Sequence, residues 1–379
     1  MAVTVMKKIV YVSNADIPSN SASSVHVMKM CEAFQKTGTN VTLVIPNHFN
    51  RELHRNTDIF EFYGVSKRFP VKRIRLIRKD VKGLREICYT VLAVLYAIMR
   101  RPDVIMTRKI MAARVASMLG FPYILELHTS TEPRHYSLRK TLQSKYMKKL
   151  IVISESLKKH MMEAYGIDES KILVLADAVD ISQYEELDLN CRIRKKVEKG
   201  EPLKIAYVGS LYPGKGIETI VRMAAQDRKN IYDVYGARGP MEKWEALKEE
   251  LSSTVEFHGQ IANALVPQTL EQYDVVLMPY SNKVEVYGED LTKWMSPLKM
   301  FEYMASGRVI ISSNLPVIRE ILTDRENAYL VEPDNPKEWL RVIEEIEKNP
   351  EQAEQIAQRA KEAVKNYTWD ARAKKVSEI

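Results

Sequence analysis

Two segments of the chain carry residue types and spacings that suit anion chemistry. The first is VGSLYPGKGIETI, Val208 to Ile220. An apolar strand ends at Val208, Gly209, Gly214 and Gly216 line the loop, and a helical pattern follows. Glycines let backbone amides approach an anion, and a helix amino terminus favours one. Lys215 adds a point charge that suits a phosphate. The segment lacks the GxxxxGK[ST] pattern, so it is no Walker loop; an ordinary strand–turn–helix with a solvated lysine is the competing reading. The second segment is WMSPLKMFEYMASGRVIISS, Trp294 to Ser313. Ser296 suits the cap of a helix whose first turn is Pro297-Leu298-Lys299. Lys299 and Glu302 are three apart and project from one helix face. They form either a surface ion pair or a clamp in which the lysine meets phosphate and the carboxylate accepts ribose hydroxyls.

The elements around these segments alternate. Lys8–Ser13, Val41–Pro46, Val71–Leu76, Val104–Met106, Tyr123–Leu127 and Leu150–Ile153 read as strands. Helical patterns at Ser24–Thr37, Leu84–Arg100, Met111–Leu119 and Leu138–Lys148 separate several of them. Strands that are apolar throughout are expected when helices cover both faces of a sheet. The second half repeats the pattern, with strands at Lys204–Val208, Ile231–Tyr235, Val255–Phe257, Val275–Met278, Val309–Ser312 and Ala328–Val331. Its helices are predicted at Gly216–Ala225, Glu242–Leu251, Val266–Gln272, Leu298–Ala305, Pro316–Leu322, Pro336–Lys348 and Glu351–Lys365. The polar stretch LNCRIRKKVEKGEP between the halves reads as a linker or mobile helix. The expected architecture is α/β, two facing doubly wound Rossmann-like domains with ligands bound in the cleft at the carboxyl ends of the strands.

Composition agrees. A chain of 379 residues with 45% hydrophobic residues is expected to be a folded protein of two or three domains, not a disordered or collagen-like one. Cys31, Cys88 and Cys191 are too few and too scattered for a disulfide framework or a cysteine zinc site, so a reducing cytoplasm is the expected compartment. No segment reads as an export signal. The apolar run Ile87–Met99 is too short for a bilayer span and reads as a buried amphipathic helix, with direct insertion into a membrane surface as the competing reading. The net charge of +8 is uneven: residues 1–190 hold 29 Lys+Arg against 19 Asp+Glu, and residues 191–379 hold 28 against 30. An excess confined to one half points to an anionic partner there.

VGSLYPGKG, followed by SPLKMFEYMASGRVIISSNLPVIREIL, resembles the retaining GT-B glycosyltransferases of family 4. VISESLKKHMMEAYGIDESKILVLADAVDISQY, VYGARGPMEKW and FHGQIANALVPQTLEQYDVVLMPY resemble further segments of that family, so the likeness runs over nearly the whole chain. It implies a GT-B fold with an acceptor-side domain over residues 1–190, a donor domain over 191–365, and a last helix, 366–379, packed back on the first domain. By the same resemblance Gly209, Ser210, Lys215 and Gly236 line the donor diphosphate, Gln260 and Ile261 lie at the base, and Glu302 holds the ribose. Ser296, Pro297, Leu298 and Lys299 supply the turn beside diphosphate and sugar. Ser210 stands where the family often has an arginine. Trp294 stands where the first glutamate of its E-x7-E motif falls, with Glu289 and Asp290 as neighbouring substitutes. In the first half the family places a histidine near the transferred sugar, which matches His128 of LELHTSTEP. Ser23, Ser24 and His26 occupy the acceptor-side loop and helix start in place of the family's glycines.

The function implied is transfer of a sugar from a nucleotide-sugar, UDP-sugar by default, to a glycan or lipid-linked acceptor. It is expected to retain anomeric configuration by front-face attack. No DxD pair in a suitable loop suggests a metal site, so metal-independent chemistry without a cofactor is expected. Residues 67–82 carry eight Lys/Arg and one acid, and residues 134–149 form a second basic run. They suit contact with an anionic membrane on its cytoplasmic face, or form solvated edges. Rival readings are a nucleotide-sugar epimerase or hydrolase and a nucleic-acid-binding protein. The latter lacks any zinc-finger or RNP signature, so no nucleic acid is expected.

Overall fold

Parallel strands make two separate sheets, each the floor of its own unit. The computed structural model describes residues 6–47, 57–75, 83–130, 135–188, 192–286 and 288–379. One unit comprises residues 1–177 together with 369–379, and the other residues 178–368. The chain thus leaves the first unit after Asp177 rather than near 190, and returns to it at Trp369. Residues 189–191, which include Cys191, lie outside the described residues, and Ile193–Glu198 is a short helix of the second unit.

The first sheet holds β1 (Lys8–Val12), β2 (Asn40–Asn47), β3 (Val71–Arg75), β4 (Val104–Thr107), β5 (Tyr123–Leu127), β6 (Met147–Val152) and β7 (Ile172–Val174). They lie in the order β3-β2-β1-β4-β5-β6-β7. All neighbours are parallel. The second sheet holds β8 (Lys204–Val208), β9 (Ile231–Tyr235), β10 (Glu256–Gly259), β11 (Val275–Met278), β14 (Val309–Ser313) and β15 (Tyr329–Val331). Their order is β10-β9-β8-β11-β14-β15, again parallel. A small antiparallel hairpin, β12 (Glu285–Val286) and β13 (Glu289–Asp290), stands apart. Strand order reverses between β1 and β4 and between β8 and β11. At such a switch point the following loops part and leave a crevice at the carboxyl ends.

Several expectations shift. The short strand β7 and the Glu155–Tyr165 helix, capped by Ser154, were not among the elements read from periodicity. Residues 316–321 are successive turns rather than a helix, with amide bonds returning to Leu315 and Ile318. The Leu84–Met99 helix buries Tyr89, Thr90, Ala93, Val94 and Ala97. Its other side is not buried as expected: Leu84, Ile87, Leu92, Leu95 and Met99 are 41–71% exposed. Among the described residues no helix is long and apolar enough to cross a membrane.

Candidate functional site

In the second unit the glycines act by closeness. Gly209 follows β8 at the switch point and donates its amide to Tyr235 O (2.9 Å), while Gly236, after β9, donates to Gly259 O (2.7 Å). A Cβ on Gly236 would overlap the Gly209 carbonyl oxygen, and one on Gly216 would overlap the Pro279 carbonyl. Ser281 N donates to Gly214 O (3.0 Å), which fastens the 209–216 loop to the segment after β11. Tyr207 OH donates to Ser210 O (2.7 Å), and Tyr303 OH accepts from Val208 N (2.8 Å). The loop is therefore held by the ends of β9 and β11 and by two tyrosines before any ligand arrives.

Two lysines converge on this loop. Lys299 Nζ lies 3.6 Å from the Tyr207 ring centroid and 5.8 Å from that of Tyr280, and Lys215 Nζ lies 4.9 Å from the Tyr280 centroid. Lys299 Nζ is buried and has no hydrogen-bond partner. It does not form the surface ion pair with Glu302 that three-residue spacing allows. Burial, then the Lys215 charge, push the Lys299 ammonium well below its usual range, against the pull of Glu302. Burial lowers Lys215 to about 8. Two ammonium groups held together without an anion cost free energy that a dianion between them would recover. Burial raises the Glu302 carboxyl, opposed by Asn263 and Lys299; Asn263 Nδ2 donates to Glu302 Oε1 at 3.3 Å.

Placement of the other expected residues is mixed. Helix Leu298–Ser306 begins one residue after Pro297, so Pro297 rather than Ser296 is the cap residue, with no side-chain cap bond. Ser296 is buried just before it. Gln260 is exposed and Ile261 half-buried after β10. Asp290 is committed to its own turn, accepting from Val284 N, Thr292 N and Thr292 Oγ1. Asn263, Tyr207, Tyr280 and Tyr303 join the site without having been singled out; they come from a turn, a strand, a loop and a helix, and nothing in their local spacing marks them.

In the first unit His128 follows β5 and keeps about 20% of its side chain exposed. Its Nε2 lies 2.6 Å from Glu126 Oε1. Burial, then the Arg108 charge, pull His128 down to about 4, with Glu126 opposing. Burial alone would raise the Glu126 carboxyl, but His26, Arg372 and His128 hold it well below the usual range. An ionised Glu126 facing a neutral His128 requires the ring proton on Nε2, which leaves Nδ1 as the ring's acceptor. Ser23, on the helix Ala22–Lys36 (α1), is exposed and its Oγ accepts from Arg108 (3.3 Å). Ser24 is buried, donates to Asp16 O (2.9 Å) and lies 2.7 Å from the helix cap Ser21. His26 is 1% exposed, with Nδ1 2.8 Å from Asp177 Oδ1. Of the three, Ser23 alone is open to an acceptor.

Comparison with known proteins follows this division. Residues 191–363 match the model described as "Glycosyl transferases group 1", and residues 23–183 match "Glycosyltransferase Family 4". The O-antigen chain mannosyltransferase RfbU of Salmonella typhimurium is 27% identical over 55% of this chain and 53% of its own length. A D-inositol 3-phosphate glycosyltransferase of Corynebacterium efficiens is 23% identical over 58% and 53%. The chain spans between about half and 62% of the length of the curated relatives it matches. Among solved structures, Anabaena HepE in complex with UDP superposes with a TM-score of 0.73 at 15% identity, over 98% of each chain. Sucrose-phosphate synthase from Thermosynechococcus elongatus gives 0.71 at 18% identity, covering 98% and 97%. At these identities the likeness shows the GT-B fold.

Proposed function

This chain belongs to the family 4, group 1 glycosyltransferases, and we propose that it transfers a sugar from a nucleotide-sugar to a glycan or lipid-linked acceptor in cell-surface glycan synthesis. The single observation that carries the reading is the buried, unpartnered Lys299 ammonium beside Lys215, over a loop where Gly209 and Gly236 leave no room for side chains. That arrangement is built for a diphosphate. In the proposed reaction Lys215, Lys299 and the start of the Leu298–Ser306 helix stabilise the charge that develops on the leaving nucleotide diphosphate. The lysines supply this charge themselves, so the reaction is proposed to run without a metal ion. Glu302, steadied by Asn263, accepts the ribose hydroxyls. His128, neutral with Nδ1 as acceptor, takes a hydrogen bond from a hydroxyl of the transferred sugar. Attack is from the front face with retention, the leaving phosphate helping to take the acceptor proton.

UDP is the proposed nucleotide; HepE, of the same fold, is seen with UDP. A thermal-shift and turnover screen with UDP-, GDP- and ADP-sugars is the test. Stabilisation by a UDP-sugar is expected, with an axial product linkage from an axial donor by NMR. Stabilisation by a GDP-sugar alone overturns the nucleotide. Free or isomerised sugar without acceptor turns the reading to hydrolysis or epimerisation, and an inverted linkage removes the retaining mechanism.

The acceptor is proposed to reach the first unit at an anionic membrane. The exposed apolar row on the Leu84–Met99 helix is joined by exposed Met118 and Leu119. The same unit exposes Lys67, Arg68, Lys72, Arg75, Arg139, Lys140, Lys145 and Lys148; residues 76–82 and 131–134 of the basic runs lie outside the described residues. An exposed apolar row on a unit rich in exposed basic residues suits an interfacial helix, at about 1 kcal/mol per basic residue near the surface. Cosedimentation with phosphatidylserine-containing vesicles is expected at low salt, weakened at least about tenfold by pairing Leu92→Asp with Met99→Glu, two buried side chains' worth of apolar contact. Equal recovery with neutral and anionic vesicles would remove this part of the proposal.

A further inference from the structure

Strand β5 reads YILEL, and every residue in it is buried. A carboxylate in the middle of a parallel sheet breaks the apolar pattern that such strands follow, and local breaks of this kind mark sites with a task. Glu126 is 0% exposed, and three cationic or polar groups from three separate segments meet its Oε1. His128 Nε2 is at 2.6 Å, His26 Nε2 at 2.9 Å and Arg372 Nη2 at 3.0 Å. Arg372 comes from the helix Trp369–Ser377 and is itself 4% exposed. Its Nη1 donates to Leu175 O and, at 2.6 Å, to Ala176 O. Those carbonyls belong to the last residues before the chain leaves the unit, and Asp177, the next residue, binds His26. The His26 ring packs edge-on against His128 (5.1 Å) and Trp369 (5.0 Å).

We propose that Glu126 and Arg372 are positioning residues for His128. Arg372, fixed by two carbonyls, holds the Glu126 carboxylate, and that carboxylate fixes the imidazole proton on Nε2 and the ring's orientation, with Nδ1 left as acceptor. This rests on the reading of His128 given above. The groups facing His128 that set its charge are Glu126, Asp177 and Arg108, with His26 and Arg372 behind Glu126 and Tyr11 buried beside it. A metal ion is the competing occupant, because His26, Glu126 and His128 offer ligand atoms within 4.8 Å of one another. A cation there would lie against the buried Arg372 guanidinium, which is 3.0 Å from Glu126 Oε1 and fixed by its carbonyl bonds, and the like charges oppose each other. The positioning role is the one the contacts support.

The test reads the tautomer directly. Long-range ¹H–¹⁵N NMR on the full chain is expected to show His128 protonated on Nε2 between pH 5.5 and 8.5, with Nδ1 bare. A His128 proton on Nδ1, fast exchange between the two forms, or one equivalent of bound metal in the purified protein overturns the proposal. Because this readout needs no turnover, it stands apart from the glycosyltransferase reading, which fails instead if the wild type transfers no sugar. In turnover, Glu126→Met is expected to lower kcat about 100-fold with the donor KM within about twofold, as removal of an orienting partner does elsewhere. Glu126→Gln, which keeps a carbonyl acceptor, recovers part of the loss. Arg372→Lys keeps the charge without the fork, and is expected to broaden the His128 tautomer signal and lower kcat about tenfold. A Glu126→Gln variant with no recovery over Glu126→Met, both folded, overturns the orienting role.

Discussion

Replacing Lys299 with methionine is expected to stabilise the free protein and lower kcat/KM for the donor about 10²- to 10³-fold. The two effects have one cause. The Lys299 ammonium is buried over the Tyr207 ring without a hydrogen-bond partner, and Lys215 repels it. Exchange of buried ion pairs for apolar side chains of similar volume is neutral or stabilising by about 1–4 kcal/mol, and an unpaired ammonium has no partner whose attraction is lost in the exchange. Loss of one preorganised donor from a developing oxyanion costs about 10²–10³ in rate. The pH dependence of the wild type has the same signature. Lys215 sits at about 8 in the free protein against 10.5 unfolded. Between those values the unfolded chain holds a proton that the folded one has lost, so stability of the free protein rises with pH there. A bound diphosphate raises the lysine again, so binding takes up a proton and UDP affinity is expected to fall about tenfold from pH 7 to 9. Calorimetry in buffers of different ionisation enthalpy measures the uptake, and differential scanning calorimetry the melting point. A Lys299→Met protein that melts lower, with donor affinity intact, would contradict the diphosphate assignment.

A single methyl at Gly209 is expected to remove donor binding at a modest cost in stability, because φ there is +157°. A Cβ there would stand 2.8 Å from Lys299 Cε and 3.1 Å from Tyr207 OH, and closer still to Lys299 Nζ. The nearest colliding atoms are the far end of a flexible lysine, which can swing away, so the cost that remains is the backbone strain of an alanine at φ +157°. Gly236→Ala is the contrast. Its methyl meets the Gly209 carbonyl oxygen, which is backbone tied to β9, and also Leu211. There the loop itself must move, with a stability loss of about 1–3 kcal/mol. Thermal melts with and without UDP separate the outcomes: Gly209→Ala, strained at φ +157°, should melt somewhat lower and lose the UDP-induced rise, whereas Gly236→Ala, which collides with backbone, should lose more of its melting point. A Gly209→Ala variant with an unchanged UDP shift would place the diphosphate elsewhere.

Much of this site was legible because its chemistry sits on short segments. The glycine-lysine loop and the Lys299–Glu302 pair are each readable from spacing, since a helix face brings residues three apart together. The alternation of apolar strands and helices gave both sheets. What spacing does not show is what the fold gathers from afar. Asn263 meets Glu302, and three tyrosines close on Gly209, Lys215 and Lys299, each from a different element. Glu126 lay hidden inside a strand that reads as apolar, and its partner Arg372 stands in the last helix. The Ser296 cap failed because Pro297 is extended (φ −73°, ψ 128°) and itself becomes the cap residue. The turns at residues 316–321 look helical in composition, but their amide bonds do not form a continuous ladder. The buried reading of Leu84–Met99 failed in the opposite sense, because periodicity marks an apolar face without saying what covers it.

The split of the first unit between residues 1–177 and 369–379 also sets an order of assembly during synthesis. The seven-stranded sheet is translated first, yet the helix that brings Trp369 and Arg372 emerges only after all of residues 178–368. The second unit is continuous and its elements are complete at Thr368, while the first still lacks the guanidinium that meets Glu126. A chain released after Thr368 would therefore hold one completed unit and one half-finished unit, with the apolar bed of the helix Trp369–Ser377 open to chaperones or to misassociation.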